Sequence, residues 1–112
     1  MLRNPQLYKG TLSTVILKLL KENGRMYGYE ITQKVKESTQ GGVTINEGAL
    51  YPILHKLEAE GLLSVEMERF RNRPRKYYSL TPNGGAEVVV RLDELEQFIK
   101  NMQLLLKPKL AI

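Results

Sequence analysis

The chain has 112 residues, 42% hydrophobic and 26% charged, which fits one globular domain with a modest core. No apolar run reaches the about 18 residues that a membrane span needs, and the net charge of +5 favours acidic partners over basic ones. Cysteine is absent, which excludes disulfides, thiolate metal sites and cysteine nucleophiles and is compatible with a reducing cytoplasm, the expected compartment.

Residues 1–6 carry no long apolar stretch of the secretory kind. The first periodic block is Leu12, Val15, Ile16, Leu19 and Leu20, one apolar helical face that stops at Asn23-Gly24. A second helix is expected from about Tyr27-Gly28 towards Thr39, burying Ile31 and Val35 and ending before Gly41-Gly42. A third runs from about Glu47 to Ala59, with Asn46 as N-cap and Gly61 as the stop. Its inward face is Leu50, Ile53, Leu54 and Leu57, so Gly48, Pro52, His55 and Ala59 fall opposite, with Tyr51 and Lys56 on the flanks. Pro52 removes one backbone hydrogen bond and its ring crowds the Gly48 carbonyl, so a local kink is expected.

Leu63, Val65 and Met67 then alternate with polar residues, the pattern of a half-buried strand. Lys76, Tyr78 and Leu80 alternate likewise in a second strand. The connection Arg71-Asn72-Arg73-Pro74 has no glycine, so a longer, mobile loop is expected rather than a tight two-residue turn. This hairpin holds the whole charge excess. Residues 1–68 carry eight basic and eight acidic side chains and residues 77–112 four of each, whereas residues 69–76 carry Arg69, Arg71, Arg73, Arg75 and Lys76 and no acid. A focused cation cluster on a balanced protein suits a polyanion; a solvated basic turn is the alternative.

Thr81-Pro82 starts a last helix that runs to Lys107, before Pro108. Val88, Leu92, Leu95, Ile99, Met102 and Leu106 recur at steps of four and three, a coiled-coil seam that Phe98 and Leu105 widen. So much apolar surface predicts packing on a second subunit; folding back on the chain's own core is the alternative. The fold expected is mainly α with a β-hairpin, a winged helix-turn-helix over residues 1–81 followed by a C-terminal dimerisation helix over residues 82–112. Such a dimer matches a two-fold symmetric site on double-stranded DNA.

Within that layout the third helix offers Asn46, Gly48, Tyr51, His55 and Lys56 to the groove, with Tyr51 either reaching phosphate or packing inside. In the wing, Arg71, Arg73, Arg75 and Lys76 meet phosphates, and Tyr27 hydrogen-bonds one beside a helix N-terminus. Tyr29 and Tyr78 read as packing residues. One histidine and no cysteine leave no nucleophile–base pair and no metal cluster, so neither an enzyme nor a cofactor is expected.

Tyr27-Gly28-Tyr29-Glu30-Ile31, then Asn46-Glu47-Gly48-Ala49-Leu50-Tyr51-Pro52-Ile53-Leu54-His55-Lys56-Leu57-Glu58, then Gly61-Leu62-Leu63 and Arg75-Lys76-Tyr77-Tyr78-Ser79-Leu80-Thr81 with Gly84 resemble the PadR family of bacterial transcriptional regulators. The resemblance covers almost the whole chain and points to the compact branch with one long helix after the wing. It implies a homodimeric repressor that binds inverted repeats and is often released by small molecules, and it implies that proline is tolerated at position 52. In some compact members a tryptophan on the last helix stacks flat aromatic drugs at the dimer centre. Here Leu95 stands at the corresponding place, leaving Phe98 and the apolar seam to line any site for a small hydrophobic or aromatic effector. Two further readings stay open: a winged-helix module that binds an acidic protein, and a ligand-binding dimer that no longer binds DNA.

Overall fold

The computed structural model describes Tyr8 and residues 10–107, so the first six residues and Pro108, the expected helix stop, lie outside the described residues. Helix α1 spans Thr11–Asn23, β1 Met26–Tyr27, α2 Gly28–Ser38, α3 Glu47–Ala59, β2 Leu63–Phe70, β3 Arg73–Leu80 and α4 Pro82–Leu106. Three helices, a hairpin and a long final helix form the winged helix-turn-helix layout that the patterning predicts. No helix among the described residues is long and apolar enough to cross a membrane.

Helix α1 is the centre of the core. Beyond the expected stripe it also buries Thr14 and Leu17, because α4 covers one side while α2, α3 and β3 cover the other. It ends at Gly24, whose left-handed backbone (φ 76°) turns the chain and whose N–H donates to the Leu20 carbonyl at 3.0 Å.

Helix α3 has the predicted bounds, and each end has a local cause. Asn46 Oδ1 accepts the Ala49 N–H at 2.8 Å, filling one of the open donors of the first turn. At the other end Gly61 (φ 78°) allows two closing bonds, Gly61 N–H to the Glu58 carbonyl at 2.9 Å and Leu62 N–H to the Leu57 carbonyl at 3.0 Å. That is the Schellman arrangement. The helix continues through Pro52, and both Pro52 and Gly48 are exposed. The carbonyl that loses its partner therefore faces water rather than the core.

The sheet has three antiparallel strands in the order β1-β3-β2. The two-residue β1, which pairs Met26 with Tyr78 and Tyr27 with Tyr77, is too short for periodicity to reveal. The hairpin corrects a second expectation. Phe70 pairs directly with Arg73, so the connection is a tight two-residue turn, Arg71-Asn72, rather than a long loop. Both turn residues have positive φ, 51° and 64°, the pattern of the primed turns whose twist matches that of the flanking strands. Asparagine adopts this conformation readily, whereas an arginine there costs about 1–2 kcal/mol. Strand β2 also outruns the core. Leu63 is buried and Val65 half-buried, but Met67 is exposed, so the alternation marks a half-buried strand only at its base.

Helix α4 is bolted to the end of α3. Thr81 N–H donates to the Leu62 carbonyl at 3.1 Å, Thr81 Oγ1 donates to the Gly61 carbonyl at 2.7 Å, and the same hydroxyl accepts the Gly84 N–H at 3.0 Å. Arg91 adds ion pairs to Glu60 at 3.7 Å and Glu87 at 3.2 Å. Val88, expected as the first residue of the dimer seam, is instead fully buried in this chain's own core, and Leu92 packs against the same core. On the solvent side of α4, Val89 and Val90 beside Val88 are exposed, and so, further along, are Phe98, Ile99 and residues 104–106.

Two glycines side by side in α4 make opposite predictions. A Cβ on Gly84 would lie 2.1 Å from the Leu62 carbonyl oxygen, whereas one on Gly85 meets nothing within 4 Å. Gly84→Ala is expected to destabilise by about 2 kcal/mol or more through overpacking, while Gly85→Ala should stabilise by up to about 1 kcal/mol through helix propensity. Urea unfolding midpoints measured on both variants check the pair, and equal shifts of the same sign would contradict it.

Tyr78 lies fully buried, and its hydroxyl has no hydrogen-bond partner among the described residues. Burial raises its pKa above the ordinary tyrosine value, with the charges of Tyr51 and Glu58 adding to the effect. The folded state thus resists ionising this phenol, so the group makes stability independent of pH below about pH 10 and lowers it as pH rises beyond that. Tyr78→Phe is expected to leave stability at neutral pH unchanged or raised, by up to about 1 kcal/mol, and to reduce the loss above pH 10. Thermal unfolding at neutral and alkaline pH tests both parts.

Candidate nucleic-acid interface

One open groove of about 1030 Å³ runs between α3, the start of α2 and the hairpin. Tyr27, Gly28 and Tyr29 form one end, Glu47, Tyr51 and His55 form the α3 wall, and residues 70, 71 and 73–76 form the wing wall. Its shape suits an extended polymer better than an enclosed small ligand.

The α3 wall is built by a close approach. Tyr51 is half-buried and lies across the first residue of α2, where a Cβ on Gly28 would come within 2.7 Å of the Tyr51 hydroxyl. Glycine at position 28 makes room for that ring. Desolvation raises the Tyr51 pKa, and the Glu47 charge adds to it. His55 sits one turn further on, exposed, its ring centroid 6.2 Å from that of Tyr51. Gly48 is exposed on the solvent face, as periodicity predicts. Like Asn46 and Lys56, which are also exposed, it does not line the groove. At the start of α2, Tyr27 N–H donates to Glu30 Oε1 at 3.1 Å, so a carboxylate already serves that helix end. Tyr29, expected to pack, is instead 54% exposed at the groove, because the second residue of α2 points away from the core.

The wing carries an arrangement that sequence patterning missed. The pairing register puts Glu66, Glu68 and Phe70 of β2 on one face of the sheet with Tyr77, Arg75 and Arg73 of β3. On that face the Arg75 guanidinium lies 3.9 Å from the centroid of the Tyr27 ring and 4.1 Å from that of Phe70. Arg71 lies 5.2 Å from the Phe70 centroid. Tyr27 meets Tyr77 edge-on at 5.6 Å, and Arg25 lies 4.4 Å from the Tyr77 centroid. Cations and aromatic rings thus alternate along the hairpin, at distances where ring quadrupoles attract positive charge. Arg75 is half-buried in this stack, whereas Arg71, Arg73 and Lys76 are exposed.

Arg25 has a second role in the charge balance. Its guanidinium hydrogen-bonds Glu68 and lies 3.5 Å from Glu66. The bond to Arg25 lowers the Glu68 pKa, and the same bond raises that of Arg25. Glu68 stands directly opposite Arg75 in the register, so Arg25 engages the acid that would otherwise be its cross-strand partner. The wing's acids are occupied, and its exposed cations Arg69, Arg71, Arg73 and Lys76 have no acidic partner among the described residues. Arg25, Phe70 and Tyr77 were detectable only from the register, which an overlong loop hides.

A family model described as the transcriptional regulator PadR-like family matches residues 16–89. The transcriptional regulator Rv3488 of Mycobacterium tuberculosis is 34% identical over 80 residues, 71% of this chain and 72% of that one. A transcriptional regulator from Clostridium thermocellum superposes with a TM-score of 0.84 at 30% identity, over 91% of this chain and 99% of its own. A PadR family transcriptional regulator from Eggerthella lenta does so with a TM-score of 0.79 at 28% identity, over 93% and 88% respectively. The family is one of regulators rather than enzymes. Since its model spans the helices, the wing and the start of α4 that make this groove, the chain belongs to the PadR-like family of transcriptional regulators.

Proposed function

We propose that the chain is a homodimeric repressor that binds an inverted-repeat operator and is released by a small hydrophobic or aromatic effector. The observation that carries this reading is the groove itself: an exposed helix face on one wall and a hairpin of uncompensated cations on the other. Helix α3 enters the major groove, presenting Gly48, His55 and the α3 flanks to base edges, and the wing's exposed cations meet phosphates. The wing supplies affinity and α3 supplies sequence discrimination.

The far half of α4 supports the dimer in this reading. Phe98 is 56% exposed, Ile99 46% and Leu105 76%, on a helix that runs beyond the domain's own core. A helical segment of this length, about three turns, is marginal in water without packing, and a second copy of the same helix offers the matching apolar seam: Leu95, Phe98, Ile99, Met102 and Leu106. The effector sits within that seam.

Two measurements test the reading. Fluorescence anisotropy with the DNA upstream of the protein's own gene should show tighter binding than a scrambled duplex. Arg73→Ala should weaken affinity for all sequences and lower the slope of log affinity against log salt by about one; no preference for the upstream DNA at low salt would count against a repressor. Sedimentation at micromolar concentration should give a dimer, and Ile99→Glu a monomer. A monomeric wild-type protein would remove the role assigned to α4.

A further inference from the structure

Resting on the DNA-binding reading above, one wing arginine stands apart from the others. We propose that Arg75 is a positioning residue rather than a phosphate contact: packed on both Tyr27 and Phe70, it ties the hairpin to the start of α2 and so fixes the angle at which Arg71 and Arg73 face DNA. Three observations carry this. Arg75 is half-buried while its neighbours along the strand, Arg73, Pro74 and Lys76, are exposed. Its guanidinium lies over two rings, 3.9 Å and 4.1 Å from their centroids. The two rings come from separate elements, Tyr27 from β1 at the entry to α2 and Phe70 from the end of β2, so the guanidinium is the link between them.

The link matters because the hairpin has little else to hold its outer half. From Glu66 to Lys76 every residue but Arg75 is exposed, so beyond Val65 the wing is a two-stranded ribbon held to the rest of the chain by the Arg25 pairs with Glu66 and Glu68 and by Arg75. Such ribbons are marginal in water. A ribbon free to swing would have to be ordered on binding, and its ordering entropy would be subtracted from affinity. Phe70 also meets Arg71 at 5.2 Å, so the same ring steadies the turn residue with positive φ. Arg25 supports the arrangement on the same face by engaging Glu68, the residue directly opposite Arg75, and so leaving Arg75 to the rings.

The test separates a phosphate contact from a positioning role through the salt slope, which counts neutralised phosphates. Arg75→Ala and Phe70→Leu should each weaken operator binding about fivefold to tenfold, the scale of a desolvated cation–π contact, with the salt slope unchanged, whereas Arg73→Ala lowers it. Phe70→Tyr, which keeps a ring, should bind like the wild type; leucine, which keeps apolar bulk only, should not. Arg25→Ala should also weaken binding, and adding Glu68→Gln should restore part of the loss. In the DNA-free protein, Phe70→Leu should speed amide hydrogen exchange in residues 66–76 while leaving the core of α1 unchanged. A drop in slope for Arg75→Ala equal to that for Arg73→Ala would overturn the proposal, as would unaltered exchange in Phe70→Leu. Faster wing exchange in a protein with no operator affinity would uphold the ring link and sink the DNA-binding reading instead.

Discussion

The contact on which the remaining geometry depends is the one between Leu62 and the first turn of α4. At this point the C-terminus of α3, the base of the hairpin and the start of the long helix converge within a few residues. Leu62 closes α3 with its N–H, receives the Thr81 N–H on its carbonyl, and leaves room against that carbonyl only for the hydrogen of Gly84. Leu63 and Leu80, the last strand pair, lie beside it. The angle between the groove helix and α4 is therefore fixed by backbone against backbone, reinforced by the Glu60–Arg91 ion pair. Surface ion pairs contribute little by themselves; the close approach is what makes the joint stiff.

The wing is stabilised by different means. It has no core of its own, and its rigidity comes from rings and guanidinium groups stacked on the outer face of the sheet. This explains how a turn with no glycine persists. The left-handed Arg71 is unfavourable in isolation, but eight continuous strand pairs enforce the twist and Phe70 holds the side chain. A hairpin rich in arginine is thereby both a charged surface and a built structure, and the two roles fall on different residues.

Much of this was legible in the sequence. The bounds of α3 could be read because both of its ends carry strong local signals, an asparagine cap and a left-handed glycine, which act within a few residues. The solvent face Gly48, Pro52, His55 and Ala59 followed from helical geometry alone. What could not be read depended on tertiary context. Two residues of β1 have no periodicity, yet they place Tyr27 against Tyr77. Val88 fits the seam by spacing, but a helical stripe has the same period whether it covers its own domain or a partner, and the first turns of α4 cover their own. Glycine preference describes an isolated hairpin, whereas this turn is held by its strands. A longer loop would not bring Phe70 opposite Arg73, so the stack is hidden until the tight turn is known.

The placement of charge has a consequence for how the molecule approaches a polyanion. Outside residues 69–76 the basic and acidic side chains balance in number, so the excess of +5 sits off-centre on one hairpin and contributes a dipole directed through it. Near a line of phosphates that dipole exerts a torque, turning the wing forward within the last Debye length, about 8 Å at physiological salt. Collisions that begin wing-first already have α3 alongside, since both walls belong to one groove. Orientation is thus biased before any contact forms, and the search for the docked pose starts from a narrow set of angles rather than from all of them.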